Sequence, residues 1–189
     1  LGDVYKRQTL NRSLSDLGAL LHLVDPTLPI GGFNHSNGLE TFAQQGVVST
    51  KATLEEYVQT QLLQNWIYND GAYLSLAFDA MCEGNFDRLC ELDWQLSATK
   101  VARESREGSF KLGVRLMKIF IRYETHTLLT AYQQAIAEKR VQGYFPIVFA
   151  MVAQAMGLSK ADTLYAFYYN AAVGAITNGC LLYTSPSPR

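Results

Sequence analysis

Cysteine is nearly missing from this chain: there are three in 189 residues, with no C-x-x-C and no paired framework. That scarcity excludes a disulfide scaffold and a zinc finger. Histidine is as scarce. His22, His35 and His126 stand far apart, and no H-x-x-x-H or Glu-x-x-His spacing offers a metal site. No run reaches the ~20 uninterrupted apolar residues of a membrane span. Residues 1–20 lack the apolar stretch that a signal peptide carries after its charges. The expected location is therefore the cytoplasm. Neither sign of charge dominates, and a formal net charge of −1 argues against a nonspecific polyanion binder. Period-two alternation is almost absent, which leaves little room for strands.

What is present is a globular composition, 48% apolar and 12% aromatic, at the length of one domain. The two ends stand apart from it. Cys180-Leu-Leu-Tyr-Thr-Ser185 can be encoded by TGT CTC TTA TAC ACA TCT. The reverse complement of that DNA, shifted in frame, encodes Asp3-Val-Tyr-Lys-Arg-Gln8. Both ends resemble a transposon adapter of sequencing libraries, so residues 1–8 and 180–189 are set aside as non-native. The expected domain is 9–179, truncated at its C-terminal side. Within the rest, charge is segregated. Residues 51–99 carry two basic and eight acidic residues, whereas 100–122 carry seven basic and two acidic. Such a split marks either a surface for a charged partner or two solvated helix faces.

Helical periodicity runs almost throughout, and the expected fold is an all-α, single-domain bundle of about eight helices. Ser15 or Asp16 starts a helix to about Val24, and Pro26 and Pro29 stop it. A glycine-rich loop spans 29–38. Ser36 or Asn37 then caps a short helix, Gly38 to Gln45. Thr53 and Glu56 have capping-box spacing for a helix to about Tyr68. Helical stretches to about Cys82 and from about Phe86 to Leu96 follow. A long basic helix is expected over Thr99–Tyr123, with Ala102, Ser105, Ser109, Leu112, Leu116, Ile119 and Tyr123 as its buried stripe. Lys100, Lys111, Arg115, Lys118 and Arg122 fall on another face. Thr125–Lys139 comes next, then a helix opened by Pro146 and closed by Gly157. The last helix, capped by Ser159 and running to about Asn178, is nearly uncharged after Asp162, so it is expected to be buried on all sides. Ala171 and Ala175, one turn apart, permit close approach of another backbone. A central position in the bundle or a dimer interface would supply that burial.

Little built-in chemistry is legible. The loop at 29–38 lacks G-x-x-x-x-G-K-[ST], any lysine and a preceding strand, so it is no P-loop. Ser36 beside His35 is no triad, because adjacent residues rarely share a productive geometry. His35 and Glu40 can meet across the loop, either for acid–base work or to pin the loop. No catalytic residue and no metal ligand is assigned.

The run Leu20-Leu-His-Leu-Val-Asp25-Pro-Thr-Leu-Pro-Ile-Gly-Gly-Phe-Asn-His-Ser-Asn-Gly-Leu-Glu40 resembles the F-type urease accessory protein family. Ala102-Arg-Glu-Ser-Arg106 followed by Gly113, and Leu164-Tyr-Ala-Phe-Tyr-Tyr-Asn-Ala171, fit the same family in order and spacing. The likeness covers about residues 14–179. It implies an all-helical homodimer that is not an enzyme. It implies partners as well: the D- or H-type accessory protein, the accessory GTPase and apo-urease. Together these insert nickel into urease, with GTP held by the partner and nickel handled by the complex, and no cofactor bound tightly by this chain. No nucleic acid and no membrane is implied.

On that resemblance, Pro29, Gly31, Gly32, Phe33, His35, Ser36, Gly38 and Glu40 shape a docking loop. Arg103 and Glu104 supply a polar pair for internal pairing or partner contact. Tyr165, Tyr169, Ala171, Ala172 and Ala175 serve the dimer. Two competing readings stay open: a helical enzyme using His35 and Glu40, and a helical regulator with an apolar ligand pocket.

Overall fold

A computed structural model describes residues 14–31, 38–123 and 125–184. Among them the chain is all-helical, in the order α1 (Leu14–Leu23), α2 (Leu39–Gln44), α3 (Lys51–Thr60), a π-helical turn (Gln61–Trp66), α4 (Asp70–Cys82), α5 (Phe86–Thr99), α6 (Arg103–Phe120), α7 (Thr127–Ala137), α8 (Phe145–Ala155) and α9 (Lys160–Thr184).

The centre of the bundle is α8. Its sequence carries no charge, and Ile147 to Ala153 are all buried. Pro146 lies in the first turn, where its missing N–H costs no helix bond. Helices α4 and α6 pack along α8, with α5 and α9 beside it. Phe145, Phe149 and Phe167 join α8 to α9 through ring pairs with centroids 5.5–5.9 Å apart. A smaller cluster of Leu39, Val48, Leu54 and Tyr57 seals α2 against α3.

Several expectations shift. The capping box before α3 is Thr50 with Thr53, one turn earlier than Thr53 with Glu56. Gly38, with φ 89°, is the N-cap of α2 and not its first residue. The helix α6 begins at Arg103, because Lys100 to Ala102 are needed to turn the chain. Its buried face is Gly108, Gly113, Leu116, Met117 and Phe120, while Ala102, Ser105 and Tyr123 are exposed. The face is set at Gly113, whose α-carbon lies against the backbone of Gly143 to Phe145, so a Cβ there would collide with Gly143 O. Lys100 leaves the basic face altogether. Its ammonium lies 2.6 Å from Asp70 at the start of α4, and both side chains are largely buried.

The largest correction concerns α9. It runs to Thr184 and is not buried on all sides: Tyr165 is 66% and Tyr169 48% exposed. Its inner face, Thr163, Ala166 and Phe167, is buried against the bundle. The all-round burial expected of α9 belongs to α8.

Candidate partner-binding surface

The glycine-rich loop begins where α1 ends. His22, in the last turn of α1, places its ring 5.1 Å from Phe120 of α6. Beyond α1, the Asp25 carboxylate accepts from Thr27 N and Thr27 Oγ1, both at 2.7 Å. This local turn fixes the entry to the loop. The Thr27 hydroxyl, then its amide, holds the Asp25 carboxyl below the usual carboxylate range.

The next fixed point comes from far away in sequence. Arg115 Nη1 donates to Ile30 O at 3.0 Å, across 85 residues. Gly31 follows with φ 80°, and a Cβ on it would collide with the same guanidinium. The left-handed backbone is what favours glycine there, since the guanidinium is the far end of a flexible side chain and can shift. Pro29 is exposed beside it. At the far side of the loop, Gly38 and Glu40 are exposed and Leu39 is fully buried, anchoring α2. Gly32, Phe33, His35 and Ser36 lie outside the described residues, as does any meeting of His35 with Glu40.

The second motif, Ala102 to Arg106, divides its labour. Arg106 Nη1 donates to the carbonyls of Lys100 at 2.7 Å and Val101 at 2.6 Å, satisfying acceptors at the end of α5. Arg103 Nε donates to Glu107 Oε1 at 2.7 Å on the solvent side. That bond holds the Glu107 carboxyl below its usual range. Glu104 is exposed.

A buried carboxylate, not singled out from the sequence, organises the other side of α6. Asp93 is 1% exposed and accepts four hydrogen bonds. Gln142 N donates at 2.7 Å, Gly143 N at 3.0 Å, Tyr144 N at 3.1 Å and Tyr132 Oη at 2.7 Å. One side chain of α5 thereby fixes the entry to α8, the hydroxyl of α7 and the surface on which Gly113 rests. Burial first, then the Asp93 charge, pushes the Tyr132 hydroxyl well above its ordinary 10.0. The available signal was positional: Asp93 sits among Leu89, Leu92 and Leu96, within the apolar stripe of α5.

On α9, the rings of Tyr165 and Tyr169 stack 6.2 Å apart at an interplanar angle of 16°. They stand on the exposed side with Ile176, while Ala171, Ala172 and Ala175 are half-buried. Among the described residues, no group of three or more His, Cys, Asp or Glu side chains is placed to hold a metal ion. None of the described helices is long and apolar enough to cross a membrane.

The sequence model of the UreF family matches residues 48–182. A protein of Haemophilus influenzae (strain 86-028NP) named urease accessory protein UreF is 95% identical over 175 residues, which are 93% of this chain and 74% of that protein. A protein of the same name from Actinobacillus pleuropneumoniae serotype 5b is 78% identical over 169 residues, covering 89% and 74% of the two chains. One from Lachnoclostridium phytofermentans is 33% identical over 159 residues, covering 84% and 70%. With the family pattern matched over most of its length, the chain belongs to the UreF family.

Proposed function

We infer that this protein acts in urease maturation as a non-catalytic co-chaperone. Membership in the UreF family carries the reading. In it, the chain bridges the accessory GTPase and the D- or H-type accessory protein on apo-urease. The GTPase holds GTP, and nickel is cargo of the assembly.

The geometry fits a protein that presents surfaces. The entry to the glycine-rich loop is tied down, at Asp25 by Thr27 and at the Ile30 carbonyl by Arg115. The α9 face bearing Tyr165, Tyr169 and Ile176 is apolar and exposed, and we assign it to a homodimer contact. Small residues at Ala172 and Ala175 allow two such helices to approach closely.

The test is complementation. Cells carrying urease and every other accessory protein, but lacking their own F-type member, receive this protein with native ends restored. Recovered urease activity on nickel supply is the expected result. A soluble, helical product that gives no activity even with its own partners would overturn the reading.

A further inference from the structure

The outward face of α6 carries Lys111, Arg115 and Lys118, and Arg122 follows in the turn just after the helix. The spacings of four and three residues place the first three on one stripe of the helix, about 10 Å long. Each is exposed. Like charges one turn apart oppose each other, at about 0.2–0.5 kcal/mol per pair. Carboxylates could relieve this, yet among the described residues only Lys111 has one, Glu107 at 3.3 Å. Arg115 meets the neutral Ile30 carbonyl. Lys118 and Arg122 have no ion pair among the described residues. The helix dipole favours cations in the last turn, which accounts for Lys118 and not for Lys111 or Arg115 in mid-helix.

Two contacts tie this stripe to the glycine-rich loop. His22 stands on Phe120 and Ile30 is held by Arg115, so residues 22–31 border the C-terminal half of α6. The opposite face of α6 is committed to α8 and the Gly143 backbone. Basic stripe and loop entry therefore form one surface.

We propose that this composite surface docks an acidic face of a protein partner in the maturation complex, with Lys118 and Arg122 steering and Arg115 coupling the contact to the loop. The proposal rests on the maturation reading. A protein partner is favoured over a nucleic acid because the chain as a whole is slightly acidic, which disfavours general attraction to a polyanion. Charges at the rim of an interface act mainly on association rate and salt dependence.

The experiment uses the protein with native ends, with Lys118→Glu/Arg122→Glu as variant, Lys118→Gln/Arg122→Gln as its milder form and Lys51→Glu as control. Binding to the purified accessory GTPase, D-type protein and apo-urease of the same source is titrated from about 50 to 300 mM salt. Circular dichroism and melting confirm that the variants fold. The expected result is parental binding to one partner that weakens with salt. The charge-reversed variant should bind that partner about tenfold more weakly with a flatter salt response, the Gln variant should fall between, and the control should match the parent. Equal affinity and salt response for the reversed variant would overturn the stripe while leaving the maturation reading standing. Failure of the parent to bind any of the three would overturn that reading, and this one with it. Equally tight, stripe-dependent binding of a fluorescent single-stranded DNA would overturn the assignment to a protein surface.

Discussion

Replacing Asp93 with alanine should be the most damaging single truncation on the α5 face. Its carboxylate is the acceptor for three consecutive backbone N–H groups and one phenol. A buried donor left without a partner costs about 1–3 kcal/mol. Gly143 and Tyr144 are buried, while Gln142 is half-buried and can recover water. The sum for Asp93→Ala is then about 4 kcal/mol, consistent with removing one side of a buried charged network. For a chain of this size that corresponds to about 8–16 °C in Tm. Tyr132→Phe takes away a single donor and leaves the three amides served, so it should cost only about 1.5 kcal/mol. Thermal and urea unfolding followed by far-UV circular dichroism measures both. If Asp93→Ala falls within about 1 kcal/mol of the parent, the carboxylate does not hold the entry to α8 and the reasoning fails.

Four further outcomes follow from the same structure. Gly113→Ala should lose about 1–3 kcal/mol in urea unfolding, because the new methyl group meets the Gly143–Phe145 backbone. Alkaline pH should destabilise the fold. Tyr132, Tyr57 and Tyr168 are held protonated by burial above their ordinary 10.0. The unfolded chain gives up those protons first, so stability is intact below about pH 10 and falls as pH rises further, by about 1.4 kcal/mol per unit for each tyrosine still protonated. Urea midpoints that stay flat through that window would contradict this. Arg115→Ala should leave Tm within a few degrees, since the side chain is exposed, yet reduce urease activation by freeing the loop entry. Tyr169→Asp should move the protein towards monomer in size-exclusion chromatography, and an unmoved dimer would remove α9 from the interface.

How far the sequence could be read depended on whether a feature was local. Helix starts with local causes were legible: Pro146 in the first turn of α8, and Ser159, whose Oγ accepts from Asp162 N at 3.1 Å. Features set by remote contacts were not. The roll of α6 is decided by Gly113 against Gly143, so periodicity alone drew in Ala102 and Tyr123, which are exposed. Lys100 read as one more basic helix residue because Asp70 is thirty residues away in sequence. Two apolar helices competed for the centre, and the aromatic run of α9 masked that α8 is the one without charge. In the candidate surface, the glycines announced an unusual loop, and Gly31 and Gly38 do adopt left-handed backbones. The residue that seats the first of them, Arg115, lies 85 positions from the carbonyl it binds, and no local signal joins the two.

The most direct test of the account is reconstitution from purified parts. Apo-urease, the D- or H-type accessory protein, the accessory GTPase, nickel and GTP are combined with and without this protein, and urease activity is read over time. The account predicts activation that requires the protein and GTP together, and that weakens when Lys118 and Arg122 are reversed in charge. Activation that proceeds equally well without the protein would contradict it.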